Sequence, residues 1–211
     1  MRLYYSPGAC SLVAHIALEE SGARFEAVRF AIAEGAHARP DYLAVNPRGL
    51  VPALEVDGRI YTETIAILTL IARSYPASGL APLDDHEALV RFYERLSYFA
   101  TSVHTAGFGR VFRAARQGPW PSPDAASRAY DRNALAAHFV EIEAMLGQGD
   151  WLLGDRYTAA DAYPLTFIRW ARRQRFDLAP YPGWKAHARR MVERPAVQAV
   201  LAREGLNPSE F

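Results

Sequence analysis

The pattern of apolar residues changes once along this chain of 211 residues, and that change limits the folds that the chain can adopt. Up to about residue 76, apolar runs of strand length alternate with stretches of helical spacing, whereas beyond residue 86 only helical spacing recurs. The intervening residues 77–86 include Gly79 and Pro82 and are predicted to form a linker. The sequence therefore predicts an α/β domain over residues 1–76 and an all-α domain over residues 87–211.

The first domain is predicted to contain a small mixed sheet with helices packed against it. A strand, a helix and a second strand form a βαβ unit, and two further strands follow as a hairpin whose turn is Asp57-Gly58. Helical spacing after the hairpin predicts a third helix, which Pro76 ends. The predicted strands cover residues 2–6, 25–32, 53–56 and 59–62, a short helix covers residues 41–45, and residues 33–40 form a loop.

The second domain is predicted to consist of helices. A continuous apolar stripe at helical spacing is formed by Leu89, Phe92, Leu96, Phe99 and Val103. Further along, the sequence predicts a break at residues 117–123, a second long helix through residues 135–146, a capping box at residues 158–161, and final helices that include residues 184–192 and 195–202. Pro164 is expected to bend the helix in which it lies or to displace its start.

The composition is that of a globular protein and argues against several classes of function. Half of the residues are hydrophobic and the formal net charge is +1, so neither a nucleic acid nor an anionic membrane is expected as a partner. No apolar run reaches the roughly 18 residues that span a bilayer, and the N-terminus does not resemble a signal peptide. The single cysteine cannot form an internal disulfide, so a cytoplasmic protein without a metal centre is expected.

The only cysteine, Cys10, stands where a tight turn leads into the first helix. A helix N-terminus carries partial positive charge that favours a thiolate, and cysteines placed there act as nucleophiles or exchange sites. The alternative is a buried cysteine that packs as a small apolar side chain. His15 lies about 140° around the helix and is a poor partner, so a Cys–His pair would need a distant histidine such as His104 or His138. Because no second cysteine exists, a thioredoxin-type dithiol is excluded.

Two further segments could hold a peptide-like ligand. Val51-Pro52 precedes a predicted strand, and a cis peptide bond there would turn the Val51 backbone outward to pair with an extended peptide. An ordinary proline at a strand start is the alternative. At the start of the third helix, the Thr64 hydroxyl and N–H suit a carboxylate, and the Glu63 carboxylate suits an ammonium group. Together they suit a free α-amino acid, although simple helix capping explains the same residues.

Beside the apolar stripe, the first long helix carries a mixed stripe of polar and aromatic residues. At about 100° per residue, its members lie close together on one helix face. They are Tyr93, Ser97, Thr101, His104 and Phe108. Such a stripe could wall a cleft between the two domains, where ligand sites often lie. The alternative is a solvated helix face with an incidental histidine.

Taken together, these segments resemble the bacterial beta-class glutathione transferases. The resemblance covers nearly the whole chain and is carried by LYYSPGACSL at residues 3–12, NPRGLVPAL at 46–54, TETIAI at 62–67, His104, and TAAD at 158–161. It implies the glutathione transferase fold, with a thioredoxin-like N-terminal domain and an all-helical C-terminal domain, in a homodimer. It also implies glutathione as co-substrate and a hydrophobic electrophile as second substrate, in a detoxification reaction.

The resemblance also assigns roles to individual residues. The cysteinyl backbone of glutathione would pair with Val51 beside a cis Pro52, and the glutathione sulfur would lie near Cys10. The γ-glutamyl end would lie on Glu63 and Thr64. The implied binding residues are Ala9, Cys10, Val51, Pro52, Glu63, Thr64, Ser97, Thr101 and His104, and the implied catalytic residues are Cys10, Tyr5, Ser11 and His104.

Several positions depart from the pattern of that family. Ser97 stands where Asn is usual, Thr105 where Lys is usual, and Thr64 where a smaller Ser or Gly is usual. The loop that contains Glu34 and His37 lacks the Lys that commonly meets the glycyl carboxylate, although Arg39 could compensate. Each lost charged hydrogen bond should weaken the binding of glutathione by roughly 0.5–2 kcal/mol.

Three functions are compatible with these residues. The first is a glutathione transferase that activates the glutathione thiolate for attack on a hydrophobic electrophile. The second is a glutathione-dependent thiol/disulfide reductase that works through a mixed disulfide on Cys10. The third is a non-catalytic ligand-binding protein of the same fold. We predict the first, and the sequence does not identify the electrophile.

Overall fold

The N-terminal region is built on one sheet of four strands. The strands are β1 (Arg2–Tyr5), β2 (Glu26–Arg29), β3 (Ala53–Val56) and β4 (Arg59–Thr62). Their order in the sheet is β2-β1-β3-β4, and β1 pairs parallel with β2 but antiparallel with β3. The computed structural model describes residues 1–115 and 124–211 of the chain. The predicted mixed sheet, with a βαβ unit followed by a hairpin, is confirmed.

The hairpin between β3 and β4 forms at the predicted turn. Asp57 and Gly58 have φ angles of 50° and 76°, the two left-handed residues that a tight type I′ turn requires. The turn fixes the register, in which Leu54 lies opposite Tyr61. Leu54 is fully buried beneath the sheet, so the register also sets which face of the hairpin enters the core.

Nine α-helices surround and follow the sheet in the described ranges 1–115 and 124–211. They are α1 (Ser11–Glu20), α2 (Pro40–Leu43), α3 (Thr64–Ser74), α4 (His86–Tyr98), α5 (Gly109–Ala115), α6 (Ala125–Leu146), α7 (Ala162–Arg173), α8 (Pro182–Glu193) and α9 (Pro195–Glu204). From α4 onward the described residues form helices joined by turns, which confirms the predicted fold class. The break predicted at residues 117–123 lies outside the described residues.

The segment after β2 differs from the prediction. The Phe30 N–H still donates to the Tyr5 carbonyl at 2.7 Å, but the chain then winds into two 3₁₀ turns, Ile32–Glu34 and Ala36–Ala38. Gly35 joins these two turns with a φ of 73°. The strand predicted over residues 25–32 is therefore shorter, and the predicted loop contains local helical turns.

Between α4 and α5 the helix changes its hydrogen-bonding pattern. Residues Phe99–Phe108 form a π-helix, in which each N–H pairs one residue further back than in an α-helix. The Thr105 hydroxyl follows the same spacing and donates to the Ala100 carbonyl at 2.8 Å. Phe99 and Val103 of the predicted apolar stripe are fully buried here. The wider turn changes the angle between successive side chains, which alters the second, mixed stripe.

The capping box before α7 is present as predicted. The Asp161 carboxylate accepts from the Thr158 N–H at 2.9 Å and from the Thr158 hydroxyl at 3.3 Å, and both residues are fully buried. Pro164 lies in the first turn of α7, where its missing N–H leaves no bond unmade. The prediction that Pro164 displaces the start of its helix is confirmed, since α7 begins only two residues before it.

Helix α1 is enclosed by both regions of the molecule. Residues 11–18 are all buried, and α1 packs against α3 on the sheet side and against α7 and α9 on the helical side. The turn that precedes α1 consequently lies at the junction of the two regions. Within the described residues, no helix combines the length and apolar character needed to cross a membrane.

Candidate active site

An open cleft of about 580 Å³, here called the first chamber, lies between the N-terminal sheet region and the π-helix. The chamber brings together residues that are far apart in the sequence. Seven of the nine predicted binding residues line it, and they are Cys10, Val51, Pro52, Glu63, Thr64, Thr101 and His104. Its other notable polar members are Asn46 and Arg48. The distant segments predicted to share a ligand therefore do face one cavity.

Cys10 lies at the floor of the first chamber, at the N-cap position of α1. Its thiol donates to the carbonyl oxygen of Val51, with 3.1 Å between sulfur and oxygen. The peptide bond between Val51 and Pro52 is cis, as predicted. The N-terminal thiol and the outward-turned backbone are thus direct neighbours, a contact that the sequence did not reveal.

The electrostatic environment of Cys10 differs from the expectation for a helix N-terminus. Burial raises the pKa of the Cys10 thiol to about 12, whereas the backbone N–H groups of Cys10 and Ser11 lower it. The carboxylate of Glu63 raises it further. The prediction that the helix end would favour a thiolate is wrong for the unliganded protein, because the loss of hydration outweighs the helix dipole.

The start of α3 forms the opposite, exposed wall of the first chamber. Glu63 precedes the helix with φ 68° and ψ 119°, a left-handed backbone that is uncommon for a residue with a side chain. Its carboxylate accepts from Arg48 Nη1 at 2.7 Å, and the Glu63 side chain remains 68 % exposed. The corner formed by Glu63 and Thr64 is therefore open to a ligand.

Arg48 is a site residue that sequence reasoning missed. It lies on the turn before Val51, and Asn46 shapes this turn, because its side chain accepts from Arg48 N–H at 3.2 Å and donates to the Leu50 carbonyl at 2.7 Å. The Tyr42 hydroxyl donates to the same carbonyl at 2.6 Å. The arginine stood within the segment NPRGLVPAL, but no local spacing indicated that it would reach Glu63.

The structure places two predicted catalytic residues away from the first chamber. Tyr5 is buried, and its ring packs against that of His15 with 4.9 Å between centroids. The Ser11 hydroxyl is also buried, where it donates to the Ser6 carbonyl at 3.2 Å and accepts from Ser6 N–H at 3.1 Å. We correct both assignments: Tyr5 contributes to the core, and Ser11 stabilises the turn before α1.

The mixed stripe on the long helix does not hold together as predicted. Thr101 and His104 line the first chamber, but Ser97 is exposed outside it and contributes only its carbonyl, which accepts from the Thr101 hydroxyl. Tyr93 instead contacts Thr69 of α3, with 3.1 Å between the hydroxyl oxygens. Phe108 is fully buried. Thr101, His104 and Phe108 lie in the π-helix, whose wider turn does not follow the α-helical angle of about 100° per residue.

His104 forms part of the wall that the first chamber shares with a second cavity. Its ring lies 5.0 Å from that of Trp170, measured between centroids. Burial lowers the pKa of His104 to about 4, because the cation would lose its hydration there. His104 is therefore a neutral imidazole at physiological pH, able to accept or donate one hydrogen bond.

The second cavity, here called the second chamber, has a volume of about 760 Å³. It shares Cys10, Ile32, His104 and Phe112 with the first chamber. Its remaining lining comes from the turn before α1 and from the end of α7, and consists of Ser6, Pro7, Gly8, Ala9, Ala33, Arg169, Trp170, Arg173 and Gln174. Ala9 thus faces the second chamber, although the sequence assigned it to glutathione.

The turn before α1 is held from both sides at Gly8. The Gly8 N–H donates to Glu204 Oε2 at 2.7 Å, and the Gly8 carbonyl accepts from Trp170 Nε1 at 2.8 Å. Glu204 is buried and also pairs with His15 Nδ1 at 2.7 Å. The expectation that His15 is not a partner of Cys10 agrees with this contact. Helices α7 and α9 therefore fix the position of the turn before α1, which is here called the cysteine turn because it ends at Cys10.

Two charged residues of the loop that departs from the family pattern form ion pairs with neighbouring side chains. Glu34 pairs with Arg29 at 2.6 Å, and this partner lowers the pKa of the Glu34 carboxyl. Arg39 pairs with Asp41 at 2.8 Å and does not line either chamber. His37 has a buried Nδ1 without a hydrogen-bond partner among the described residues. Within the described residues, Arg39 therefore does not take the place of the Lys that commonly meets the glycyl carboxylate.

The sequence was compared with protein families and with known proteins. Residues 8–74 match the family model for the glutathione S-transferase N-terminal domain, and residues 99–195 match that for the C-terminal domain. The chain is 37 % identical to glutathione S-transferase GstA of Escherichia coli O157:H7, over 98 % of this chain and 100 % of that protein.

Solved structures give the same result. A sphingomonad glutathione S-transferase complexed with glutathione is 39 % identical, with a TM-score of 0.85, and the match covers 98 % of this chain and 100 % of that one. The beta-class enzyme of Sphingomonas chungbukensis is 35 % identical over the same shares, also with a TM-score of 0.85. The resemblance to bacterial beta-class enzymes is confirmed, and this chain belongs to the glutathione S-transferase family.

Proposed function

We propose that this glutathione transferase binds its co-substrate glutathione in the first chamber and places the glutathione sulfur beside Cys10, where the two chambers meet. The observation that carries this proposal is the sequence of groups along the first chamber. An exposed carboxylate and a helix N-terminus stand at one end, the Val51 backbone stands in the middle, and a thiol stands at the junction. This order matches the γ-glutamyl, cysteinyl backbone and thiol groups of the tripeptide.

The γ-glutamyl end carries an ammonium and a carboxylate on one carbon. In the proposed complex, Glu63 accepts from the ammonium, while the hydroxyl and N–H of Thr64 donate to the carboxylate at the N-terminus of α3. Arg48 holds the Glu63 carboxylate through the contact at 2.7 Å. Opposite charges thus stand side by side in the protein, as they do in the ligand.

Cys10 changes its hydrogen-bond partner in this mechanism. In the free protein its thiol donates to the Val51 carbonyl. When the cysteinyl N–H of glutathione donates to that carbonyl, the Cys10 S–H is released to donate to the glutathione sulfur. A hydrogen bond to the charged form lowers the pKa of the glutathione thiol, whose proton passes to water. Cys10 therefore stabilises the thiolate and is not itself the nucleophile.

The raised pKa of Cys10 favours the transferase over the thiol/disulfide reductase. Disulfide exchange needs a thiolate, and a thiol with a pKa of about 12 is almost wholly protonated at neutral pH. His104 stands at the same junction as a neutral side chain. It can hydrogen-bond the glutathione sulfur or the leaving group without adding a charge.

The remaining parts of the proposal concern the second substrate and the assembly. A hydrophobic electrophile enters the second chamber, whose walls include Trp170 and Phe112. We also propose a homodimer, a cytoplasmic location, and domains at residues 1–76 and 87–211 joined by residues 77–86. The single cysteine supports the location, and the connection between α3 and α4 supports the domain boundary.

The proposal can be tested with three measurements on the wild-type protein and on Cys10→Ala. Calorimetric titration with glutathione should give a measurable heat for both proteins. Conjugation of chlorodinitrobenzene should fall in Cys10→Ala by about tenfold, the effect of one charged hydrogen bond. Reduction of a glutathione mixed disulfide should be slow in both.

Each alternative function predicts a different result. A reductase would lose mixed-disulfide reduction in Cys10→Ala while conjugation stayed intact. A non-catalytic binder of other ligands would give no heat with millimolar glutathione and would conjugate nothing. Either pattern would overturn the proposed role of the first chamber.

A further inference from the structure

We infer that the second chamber selects aromatic electrophiles that carry a carboxylate, and that the Arg173 guanidinium binds this carboxylate. This inference rests on the proposed function, since it names the class of electrophile that meets the glutathione sulfur. It adds a charged specificity determinant to a chamber for which only a hydrophobic ligand was expected.

Aromatic rings form the inner part of the second chamber. Phe112 meets Trp170 edge to face, with centroids 5.2 Å apart and an interplanar angle of 75°. The His104 ring also packs against Trp170, with 5.0 Å between centroids. All three side chains line the chamber next to Cys10. Rings in this arrangement offer both faces and edges to a flat ligand, which favours an aromatic substrate over an aliphatic one.

Two guanidinium groups form the outer part of the second chamber. They differ in how many hydrogen bonds they make to the rest of the protein. Arg169 is buried, its Nε donates to Glu210 Oε2 at 2.9 Å, and its Nη1 donates to the Gly8 carbonyl at 3.3 Å. Arg169 is therefore committed to holding the cysteine turn. Its pKa is lowered by burial, but a guanidinium stays protonated at physiological pH.

Arg173 lies one helical turn further along α7 and keeps its donors for a ligand. Its nearest described acid is Glu210, at 3.9 Å, which is beyond hydrogen-bond distance. Glu210 is already bound by Arg169 at 2.9 Å, so it neutralises one of the two cations. Among the described residues that line the chamber there is no acidic side chain. Arg173 therefore presents to the chamber a guanidinium whose fork geometry fits a carboxylate.

The positions of these groups define the substrate. Its reacting carbon must lie at the junction beside Cys10, its ring must lie against Trp170 and Phe112, and its carboxylate must reach toward Arg173 at the mouth. An aryl chloride with the carboxylate para to the chlorine meets these conditions. The glutathione thiolate forms a C–S bond at the ring carbon, the C–Cl bond breaks, chloride leaves with the electron pair, and the thiol proton has passed to water.

The test uses two electrophiles of similar shape, the anionic para-chloro-meta-nitrobenzoate and the neutral para-chloro-meta-nitrobenzamide, whose different intrinsic reactivities cancel when the ratio is compared between variants. We would measure kcat/KM for both compounds with saturating glutathione and take the ratio of benzoate to benzamide. In Arg173→Gln this ratio should fall about five- to tenfold, while the benzamide value changes less than about twofold. Arg173→Lys should retain most of the ratio, because it keeps the charge.

The matched control is Arg172→Gln, which removes the same charge from the neighbouring position. Arg172 is exposed, does not line the second chamber, and donates to the Ser209 carbonyl at 3.0 Å. The ratio should be unchanged in this variant. Thermal unfolding of each variant would show that the fold is kept.

The outcomes separate this inference from the proposed function. If the wild type conjugates both compounds and Arg173→Gln lowers both equally or neither, the charged role of Arg173 is wrong while the proposed function stands. If the ratio falls as much in Arg172→Gln, the effect is one of overall charge and the inference is again wrong. If the wild type conjugates chlorodinitrobenzene but neither of these compounds, the inference is wrong while the proposed function stands. If it conjugates none of the three, the proposed function fails and the inference fails with it.

Discussion

Two helix N-termini face the same cleft, and they differ in how far the side chain at each of them is exposed to solvent. At the start of α1, Cys10 is partly buried and burial raises its pKa to about 12. At the start of α3, Glu63 is 68 % exposed and pairs with Arg48. Both helices carry the same partial positive charge at this end. At Cys10 the loss of hydration outweighs the helix dipole, whereas the exposed Glu63 side chain keeps its contact with water.

The largest expected effect concerns the reactivity of Cys10 at the buried helix end. With a pKa of about 12, the thiolate fraction at about pH 8 is far below that of free glutathione. We expect alkylation of Cys10 by iodoacetamide to be roughly 100- to 1,000-fold slower than that of glutathione. The logarithm of the rate should rise with pH up to at least about pH 10 without levelling off.

Protein unfolded in guanidinium chloride provides the reference for this measurement, and its cysteine should react at the rate of an ordinary thiol. A plateau near neutral pH in the folded protein would show that the helix dipole dominates after all, and the comparison between the two helix ends would collapse.

The second effect comes from removing the support of the buried helix end. Gly8 has a φ of 65°, and a Cβ atom there would lie 2.1 Å from Arg169 Nη1. We expect Gly8→Ala to lower the free energy of unfolding by about 2–4 kcal/mol, through backbone strain and the displaced guanidinium. Urea unfolding measures this loss, and conjugation should fall with it.

Gly22→Ala is the matched control for that substitution. Gly22 has a similar φ of 70°, but a Cβ there would meet nothing within 4 Å. The expected cost is about 1 kcal/mol, from the left-handed backbone alone. Equal losses in the two variants would mean that the contact with Arg169 does not support the turn.

The third effect tests the exposed helix end. Glu63→Gln removes the carboxylate that we assign to the ammonium group of glutathione, so Kd should rise about tenfold by calorimetry. Glu26→Gln is the control, because Glu26 is similarly exposed and also paired with an arginine, Arg2, but outside both chambers. An unchanged Kd in Glu63→Gln would remove the γ-glutamyl site from the start of α3.

The smallest effect is a dependence of stability on pH that arises from His104. Its pKa is about 4 in the folded protein and 6.5 as the ordinary value, so between these limits the unfolded chain binds more protons. Stability is therefore nearly complete above about pH 6.5 and falls as the pH drops, by about 1–2 kcal/mol at about pH 5.

His104→Gln should flatten this part of the pH profile, as followed by chemical unfolding at a series of pH values. His86→Gln, at the exposed first residue of α4, should leave the profile unchanged. A wild-type profile that is flat over this range would contradict the burial of His104.

Local sequence signals predicted much of the fold correctly. The turn Asp57-Gly58 and the capping box at residues 158–161 act over a few residues, so their chemistry is readable in the sequence. The π-helix was not predictable, because apolar spacing does not encode a shift from α-helical to π-helical bonds. Phe108 lies within this segment and is fully buried, although its α-helical spacing from His104 had placed it beside the cleft.

The candidate site was predictable where the residue types of a short segment indicate its role. It was not predictable where tertiary packing determines whether a side chain reaches the cleft. The segments at Cys10, Val51-Pro52 and Glu63-Thr64 were found from residue type and position. Tyr5 and Ser11 were misplaced because their burial depends on how α1 packs between the sheet and α9. The contact between Arg48 and Glu63 joins two turns whose distance only the folded chain sets.

The hydrogen bond between Gly8 and Glu204 joins residues that are 196 positions apart in the sequence. We therefore expect the cysteine turn to hold its native shape only while α9 is docked. Transient undocking of α9 should switch off conjugation even though this helix lines neither chamber. Catalytic activity in this protein should thus depend on a helix far from the cleft in the sequence. Hydrogen exchange of the α9 amides would report how often this helix undocks.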